Sequence, residues 1–311
     1  MGLFRRRSPG REQEAADEAL PFMTATTADA FRTQVHRTFG ELGIEVTMHP
    51  DHAVDDLRRE FGLWNLATQC VDRGADEWPA IIRRHVETIL ASMDAADPFD
   101  DAEPDDIRSR TLVRLYPEDV LPSLDAYPHR ELAPGVIEML ALDLPETVTI
   151  FDRRRADEHG GWEALHATGV ANLRALPHEA VETIEGPDGA RFHALLGDSV
   201  HTASRAVLLP ELMPQLTGEE PGRHGWLMSV PNRHQLVWHV PHDHTVLAVA
   251  SAMAHFAYFG HRESAGSISP HLYWWNGVEY EQLTQIDESG TITIHAGPRF
   301  AEVLDALVTD D

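Results

Sequence analysis

The stretch WLMSVPNRHQLVWHVP, residues Trp226–Pro241, contains two short apolar runs separated by a polar centre. Both runs are rich in Val, Leu and Trp, and runs of this length and composition are typical of β-strands. Pro231 has no backbone N–H to donate to a neighbouring strand, so it fits the end of a strand or a bulge. The stretch therefore predicts a β-hairpin. Its turn carries three polar residues: Asn232, Arg233 and His234.

These three turn residues are candidate binding residues, because a rigid hairpin would present several hydrogen-bond donors at one point. Arg233 offers a planar fork of donors that suits a carboxylate or carbonyl group of a partner. Two alternatives remain open. In one, the turn lies at the surface and its Asn and Arg only satisfy nearby backbone groups. In the other, Arg233 is internal and paired with an acidic residue.

Further strand patterns also come in pairs joined by turn residues. GPDG, residues 186–189, separates two such runs, and Asn276–Gly277 separates two more, which predicts two additional hairpins. Helical spacing of apolar residues predicts helices between the hairpins, including one from about Asp243 to Phe259. Because the strands pair as hairpins instead of alternating regularly with helices, we predict an α+β fold. Antiparallel hairpins pack with helices in this fold, after a mixed α/β N-terminal region.

Composition divides the chain into four parts. The composition of residues 1–23 predicts a disordered tail. Residues 24–93 are predicted to form the mixed helical and strand region. Residues 94–106, DAADPFDDAEPDD, carry seven acidic residues and two prolines and predict an acidic, solvated linker or loop. Residues 107–311 form the predicted α+β main domain. Two further segments are expected to be helical: Leu57–Asp72 and, in mixed form, Glu131–Leu142.

The charge of the chain excludes several classes of function. Its 25 basic and 51 acidic residues give a formal net charge of −26, a field that repels phosphate backbones and disfavours nucleic-acid partners. All of the basic residues are arginine, so a Schiff-base lysine and the lysine of a P-loop or kinase are excluded. The sequence has no Rossmann, P-loop, GxSxG or kinase motif, and we expect no cofactor.

Cysteine content and hydropathy indicate a cytoplasmic protein. Cys70 is the single cysteine, so no disulfide forms within one chain, as is usual in a reducing compartment. No apolar run approaches the length of a membrane span. The basic N-terminus lacks the apolar core of a secretory signal, so we expect neither a leader nor a membrane-spanning segment.

Two groups of residues are candidates for chemistry. LLGDSVH, residues Leu195–His201, is similar to the nucleophile block of GDSL-type hydrolases, but no Asp-x-x-His follows Ser199 to supply a base. We therefore expect neither Ser199 nor the apolar-flanked Cys70 to act as a nucleophile. The second group is a His-rich segment, in which chance clustering competes with metal binding. Its alternative metal ligands are His239, His242 and His244.

Aromatic residues in the last third of the chain supply a second candidate contact. Trp274 and Trp275 are adjacent on a predicted strand, so their side chains point to opposite faces. We expect most of the nearby aromatic residues to pack in the core and one of these two to be exposed. An exposed Trp would be an anchor for a partner.

The hairpin and five other segments together resemble the YtpQ-like family of uncharacterised bacterial proteins. VPNRH between apolar strands looks like the hallmark of that family. The other segments agree in order over roughly Ala28 to Leu283: LWNLATQCVD, LALDLPETVTIFD, VANLRAL, TASRAVLLPEL and SPHLYWWNG. The resemblance implies kinship of fold, and it implies no activity and no catalytic residue.

Together these features favour a cytoplasmic, non-catalytic binding or regulatory protein with a protein or peptide partner. The alternative is a hydrolase-type enzyme that uses the His-rich face around His239–His244, with or without a metal. The two classes differ in their surfaces. An enzyme should show a concave pocket with converging polar groups, and a binding module should show an exposed apolar patch.

Overall fold

The computed structural model describes residues 15–71, 73–94, 97–100, 102–121, 123–144, 148–287 and 289–309. The chain forms two compact units, which we call unit 1, ending at Leu90, and unit 2, beginning at Ala91. All strand pairings among the described residues are antiparallel, which confirms the predicted α+β class. No helix in the described part of the chain is long and apolar enough to cross a membrane.

Unit 1 combines helices with a three-stranded sheet in the order β1-β2-β3. The helices are α1 (Ala25–Glu41), α2 (Trp64–Val71) and α3 (Trp78–Asp94), and the strands are β1 (Val46–Met48), β2 (His52–Asp55) and β3 (Glu60–Gly62). Thr24 caps α1, since its side-chain oxygen accepts the backbone N–H of Thr27. The apolar face of α1, which includes Phe31, Val35 and Phe39, packs into the core of this unit.

The predicted helix over Leu57–Asp72 is wrong in its first half, which forms a turn and strand β3. Arg58 has a φ of 64°. The Asp55 carboxylate accepts the backbone N–H of Arg59 at 2.8 Å and its Nε at 2.6 Å. These contacts close the turn between β2 and β3, so local turn chemistry outweighs the helical spacing of the apolar residues.

The predicted tail ends earlier than residue 23. Residues 1–14 lie outside the described part of the chain, but Leu20 and Met23 are buried in the core of unit 1. Asp17 forms an ion pair with Arg32 of α1 at 2.7 Å. The segment packs because two apolar side chains and one carboxylate find partners, which its overall charge did not indicate.

Unit 2 holds the remaining elements. Its helices are α4 (Pro104–Arg110), α5 (Arg153–Glu158), α6 (Gly161–Ala175), α7 (Leu209–Thr217), α8 (Val246–Arg262) and α9 (Pro298–Thr309). Its strands are β4 (Thr111–Pro117), β5 (His129–Ala133), β6 (Val136–Asp143), β7 (Val148–Ile150), β8 (Val181–Glu185), β9 (Arg191–Leu196), β10 (Trp226–Ser229), β11 (Gln235–His239), β12 (Tyr273–Trp275), β13 (Tyr280–Gln282), β14 (Thr284–Ile286) and β15 (Ile292–Ile294). Short 3₁₀ helices span Pro187–Gly189 and Ala203–Leu208.

The strands of unit 2 form three sheets. The largest has the order β13-β12-β10-β11-β9-β8, a second has the order β4-β6-β5 with β7 paired to β6, and the third is β14-β15. The central strands β10 and β11 of the large sheet are covered on both faces. Along β10 and β11, Met228 and Trp238 face one apolar cluster, while Leu227 and Val237 face another that α8 and α9 cover. The hairpin predicted from Trp226–Pro241 is therefore confirmed, and it lies at the centre of this sheet.

The segment Glu131–Leu142, predicted as mixed helix, forms the end of β5 and most of β6. Gly135 turns the chain between the two strands with a φ of 76°. Strand β6 is covered on both faces, so every residue from Val136 to Leu142 is buried and no alternation appears. A mostly apolar run of this length, interrupted only by Glu138, does not distinguish a buried strand from a helix, which explains the error.

The acidic segment 94–106 is not a solvated linker in its described part. The rings of Phe99 and Phe151 pack edge to face with centroids 4.7 Å apart. Asp97 forms an ion pair with Arg155, and α4 begins within the segment. Its residues 95, 96 and 101 lie outside the described part of the chain. The Phe99 ring and the Asp97 carboxylate therefore both hold the segment to unit 2.

Both other predicted hairpins are present. Strands β8 and β9 pair on either side of the 3₁₀ helix at GPDG. Strands β12 and β13 pair across a longer turn than the predicted two residues, since the Asn276 N–H donates to the Glu279 carbonyl at 3.1 Å. The β8–β9 hairpin forms one wall of a groove.

Candidate functional site

The candidate contact residue Asn232 is buried, which corrects the expectation of an exposed hairpin turn. Its exposed fraction is 0%. The side-chain Nδ2 donates to Gln235 Oε1 and to the Gly260 carbonyl, each at 2.9 Å, and Oδ1 accepts the His234 N–H at 3.0 Å. Asn232 therefore closes the turn and ties it to the end of α8. These hydrogen bonds are internal, so its role is structural.

Arg233 and His234 are half-buried in the same turn. Arg233 Nε donates to His234 Nε2 at 2.9 Å. Burial, followed by the nearby charge of Arg114, lowers the pKa of Arg233. No described carboxylate forms an ion pair with Arg233, so it is neither the exposed arginine nor the internally paired arginine that the sequence left open.

The three candidate metal ligands of the His-rich segment are divided between a strand and a loop. His239 is half-buried in β11, and burial lowers its pKa to about 4, so it is neutral near pH 7. His242 and His244 are exposed in the loop before α8. Within the described ranges, no group of three or more His, Cys, Asp or Glu side chains is placed to hold a metal ion.

The two candidate nucleophiles lie in unreactive surroundings. Burial raises the pKa of Cys70 to about 11, so its thiol stays protonated at neutral pH. Ser199 Oγ accepts the backbone N–H of His201 at 3.2 Å, as in a local turn. These surroundings agree with the expectation that neither residue is a nucleophile.

The two candidate tryptophans belong largely to the core. Trp274 is buried, its ring lies 5.1 Å from that of Phe300, and its indole N–H donates to the His224 carbonyl at 2.8 Å. Trp275 is half-buried and stacks on Trp226 with ring centroids 5.4 Å apart. The expected exposed anchor is therefore wrong for Trp274, and Trp275 presents only part of its ring.

An open groove of about 700 Å³ lies between α8 and the β8–β9 hairpin, and we call it the α8 groove. Aliphatic and aromatic side chains dominate its lining: Ile184, Phe192, Ala248, Ala252, Phe256 and Phe259. Phe192 and Phe256 meet edge to face with centroids 5.9 Å apart, and Phe259 leaves 49% of its surface exposed. A mostly apolar recess of this size is typical of a binding site.

Small residues bring the walls of the α8 groove together. A Cβ added at Gly186 would lie 3.2 Å from the Ala252 Cβ, so the β8–β9 hairpin approaches α8 closely there. A Cβ added at Gly260 would lie 2.5 Å from Gln235 Oε1 and 3.0 Å from the Pro231 Cβ. The Gly260 carbonyl also accepts the hydrogen bond from Asn232 Nδ2. The hairpin turn therefore positions one end of the groove.

The rim of the α8 groove is negatively charged. Asp188 and Glu263 are exposed among its lining residues, and neither forms an ion pair within the described residues. His255 also lines the groove, and its Nδ1 donates to the Ser251 carbonyl at 2.8 Å. The groove therefore offers apolar carbon inside and carboxylates at its edge.

The sequence of α8 contains a signal for this groove. One face of the helix points inward with six buried residues: Val246, Val249, Ala250, Met253, Ala254 and Ala257. The opposite face carries further apolar residues of the groove, among them Ala252, Phe256 and Phe259. A helix that is apolar all round is normally covered on all sides. The inward spacing predicts only the helix, whereas the second apolar face predicts the binding surface.

Comparisons of the chain with protein-family models, with curated proteins and with solved structures find no match. The resemblance to the YtpQ-like family stays a prediction. The function of the protein is therefore inferred from the geometry of unit 2.

Proposed function

We propose that unit 2 is a non-catalytic binding module that captures a peptide segment of a protein partner in the α8 groove. One observation carries the proposal: the outer face of α8 presents a row of apolar side chains beside a preformed groove, and Phe259 in this row is half-exposed. Exposed apolar surface next to such a recess is typical of recognition sites.

The groove favours an amphipathic helical segment as its occupant. The apolar row follows the axis of α8, so a second helix laid along it would contact Ala252, Phe256 and Phe259 in turn. Burying an aromatic or large aliphatic side chain contributes about 1.5–3 kcal/mol. One anchor residue seated against Phe259 would therefore supply much of the affinity, as a binding hot spot does.

Charge selects the residues that flank the anchor. Asp188 and Glu263 at the rim are negative, and the whole chain carries a formal net charge of −26. Acidic segments would be repelled from this surface, whereas Arg or Lys beside the apolar anchor would be attracted. The preferred partner segment is therefore both apolar and basic.

The proposal retains three expectations from the sequence. A single cysteine fits a cytoplasmic location, and a binding surface fits a regulatory protein. Kinship with the YtpQ-like family remains part of the proposal on the segments quoted above. The hydrolase alternative has no comparable support, since no group of three or more His, Cys, Asp or Glu side chains among the described residues is placed to hold a metal ion.

Peptide selection on the native full-length protein tests this function. Binders are selected from a random peptide display library, and the consensus peptide is titrated by fluorescence anisotropy. We expect an apolar anchor flanked by basic residues. We also expect the substitution Phe259→Ser to weaken binding at least about tenfold, which corresponds to about 1.4 kcal/mol. Phe259 is half-exposed, so this variant should keep the fold.

Leu247→Ser is the matched control. Leu247 lies on the same helix with 50% of its surface exposed, but it is not among the residues that line the groove. Peptide binding should be unchanged in this variant. An equal loss in both variants, or unchanged binding in Phe259→Ser, would show that the α8 groove is not the contact surface.

A further inference from the structure

A second group of polar side chains lies where several segments of unit 2 meet. We call it the cationic recess, and its members are Arg114 and Tyr116 on β4, Asp143 at the end of β6, His201 before the second 3₁₀ helix, and Arg233 in the hairpin turn. Arg114 Nη2 donates to the Val200 carbonyl at 3.4 Å, and the Ala203 N–H donates to the Arg233 carbonyl at 3.1 Å. These contacts bring strand, loop and turn together.

The recess holds two guanidinium groups, and no carboxylate in the described ranges is paired to either. Arg114 is 7% exposed, and its Cζ lies 5.6 Å from the centre of the Tyr116 ring. Burial raises the pKa of Tyr116, the charges of Arg114 and Arg233 oppose that change and the charge of Asp143 adds to it, so all three charged groups lie near this residue. Neither arginine forms an ion pair with a described carboxylate. Two like charges withdrawn from water cost free energy, which an anion between them would offset.

His201 adds a hydrogen-bonding atom that the fold does not use. The residue is only 8% exposed, and its Nδ1 has no hydrogen-bond partner among the residues that the structure describes. Its Nε2 lies 3.5 Å from Asp143 Oδ1. With the imidazole neutral and the proton on Nε2 toward Asp143, Nδ1 is an acceptor. Buried polar atoms are rarely left unpaired in native proteins, so this atom points to a ligand that donates a hydrogen bond to it.

We propose that the cationic recess binds the hydrogen phosphate dianion, with its oxygens on the guanidinium groups of Arg114 and Arg233 and its O–H on His201 Nδ1. Guanidinium forks match the oxygens of phosphate, and the two positive charges outnumber the single negative charge of Asp143, so the recess still attracts an anion. The ligand also needs one donor for the imidazole. Hydrogen phosphate supplies that donor, whereas sulfate, a carboxylate and a phosphate monoester dianion lack it.

The position of Arg233 supports this assignment. Its Nε is held by His234 Nε2, and its aliphatic part lies against Gly266, where a Cβ would be 2.6 Å from Arg233 Cδ. The guanidinium is thus fixed in place before any ligand arrives, which lowers the entropy cost of binding. The recess is also a local positive site in a chain of formal net charge −26.

Titration calorimetry of the full-length protein with potassium phosphate and potassium sulfate tests the inference. At pH 8 and matched ionic strength, both probes are mainly dianions of similar shape. We expect phosphate to bind at least about tenfold more tightly than sulfate, because sulfate leaves Nδ1 unpaired. His201→Phe should abolish this preference. Arg233→Gln, at a half-buried turn position, should weaken phosphate binding at least about tenfold, while Arg191→Gln, at an exposed position of β9, should leave it unchanged.

Three results would overturn the inference. Equal affinity of the native protein for phosphate and sulfate would exclude hydrogen phosphate as the preferred ligand. Heats no larger than those of a potassium chloride titration, or unchanged phosphate affinity in Arg233→Gln, would exclude the site. The inference is independent of the proposed peptide function, because Phe259→Ser should not alter phosphate binding.

Discussion

The turn of the β10–β11 hairpin and the outer face of α8 place their side chains in opposite ways. Asn232, a polar turn residue, is 0% exposed, whereas Phe259, a large apolar helix residue, is 49% exposed. Polar residues are usually outside and large apolar residues are usually inside. Each region departs from this rule.

The two departures have different causes. Asn232 is buried because three internal hydrogen bonds satisfy its amide, so burial costs little and holds the turn. Phe259 is open because no described side chain covers the groove it lines. A buried polar residue with all its partners therefore marks structure. An apolar residue without cover, or a buried polar atom without a partner such as His201 Nδ1, marks a site.

The largest expected effect separates the floor of the α8 groove from its rim. Phe192 is 2% exposed and packs with the core behind the groove. We expect Phe192→Ala to lower the free energy of unfolding by about 4 kcal/mol, as is usual for truncating a buried Phe. Phe259→Ala should change it by less than about 0.5 kcal/mol. Urea unfolding of both variants measures the difference. Similar losses would show that Phe259 is part of the core and not of an open surface.

The second prediction concerns the buried turn. Asn232→Ala should lower the free energy of unfolding by about 3 kcal/mol, because the Gly260 carbonyl and the His234 N–H lose their partner while remaining shielded from water. For a unit of this size the loss corresponds to roughly 6–12 °C in melting temperature. Gln285→Ala, at an exposed position of β14, is the control and should melt with the native protein. A small loss for Asn232→Ala would return the turn to the list of contact residues.

Local patterns in the sequence predict the parts of the fold that depend on neighbours in the chain. The Trp226–Pro241 hairpin is correct because alternation and turn residues are local signals. Strand β6 was missed because burial on both faces removes alternation. Composition was misleading for residues 94–106 for a similar reason. The segment is acidic overall, but the Phe99 ring packs against Phe151.

The sites depend on contacts that no local pattern encodes. The burial of Asn232 requires the Gly260 carbonyl, 28 residues away. The cationic recess requires Arg114 to meet the loop at Val200, 86 residues away. The sequence identified Arg233 from its position in the turn. That no described carboxylate forms an ion pair with Arg233 follows only from the three segments that surround it. The second apolar face of α8 is the exception, because that pattern is local and readable.

The smallest expected effect concerns the glycine that supports Arg233. Gly266 and Gly277 both have positive φ, 70° and 97°, so alanine at either position costs about 1 kcal/mol in backbone strain. A Cβ at Gly277 would meet nothing within 4 Å, whereas a Cβ at Gly266 would lie 2.6 Å from Arg233 Cδ. Gly277→Ala is therefore the matched control, since it carries the backbone cost without the steric contact.

We expect Gly266→Ala to be less stable than Gly277→Ala by about 1 kcal/mol, because the displaced Arg233 loses its hydrogen bond to His234. Urea unfolding measures this difference, and phosphate titration of the same two variants should show weaker binding only in Gly266→Ala. If the two variants match in both measurements, Arg233 moves freely and the turn does not hold its guanidinium in place. The contrast with α8 would then disappear, because the turn would present an unrestrained side chain to solvent instead of a fixed one to an anion.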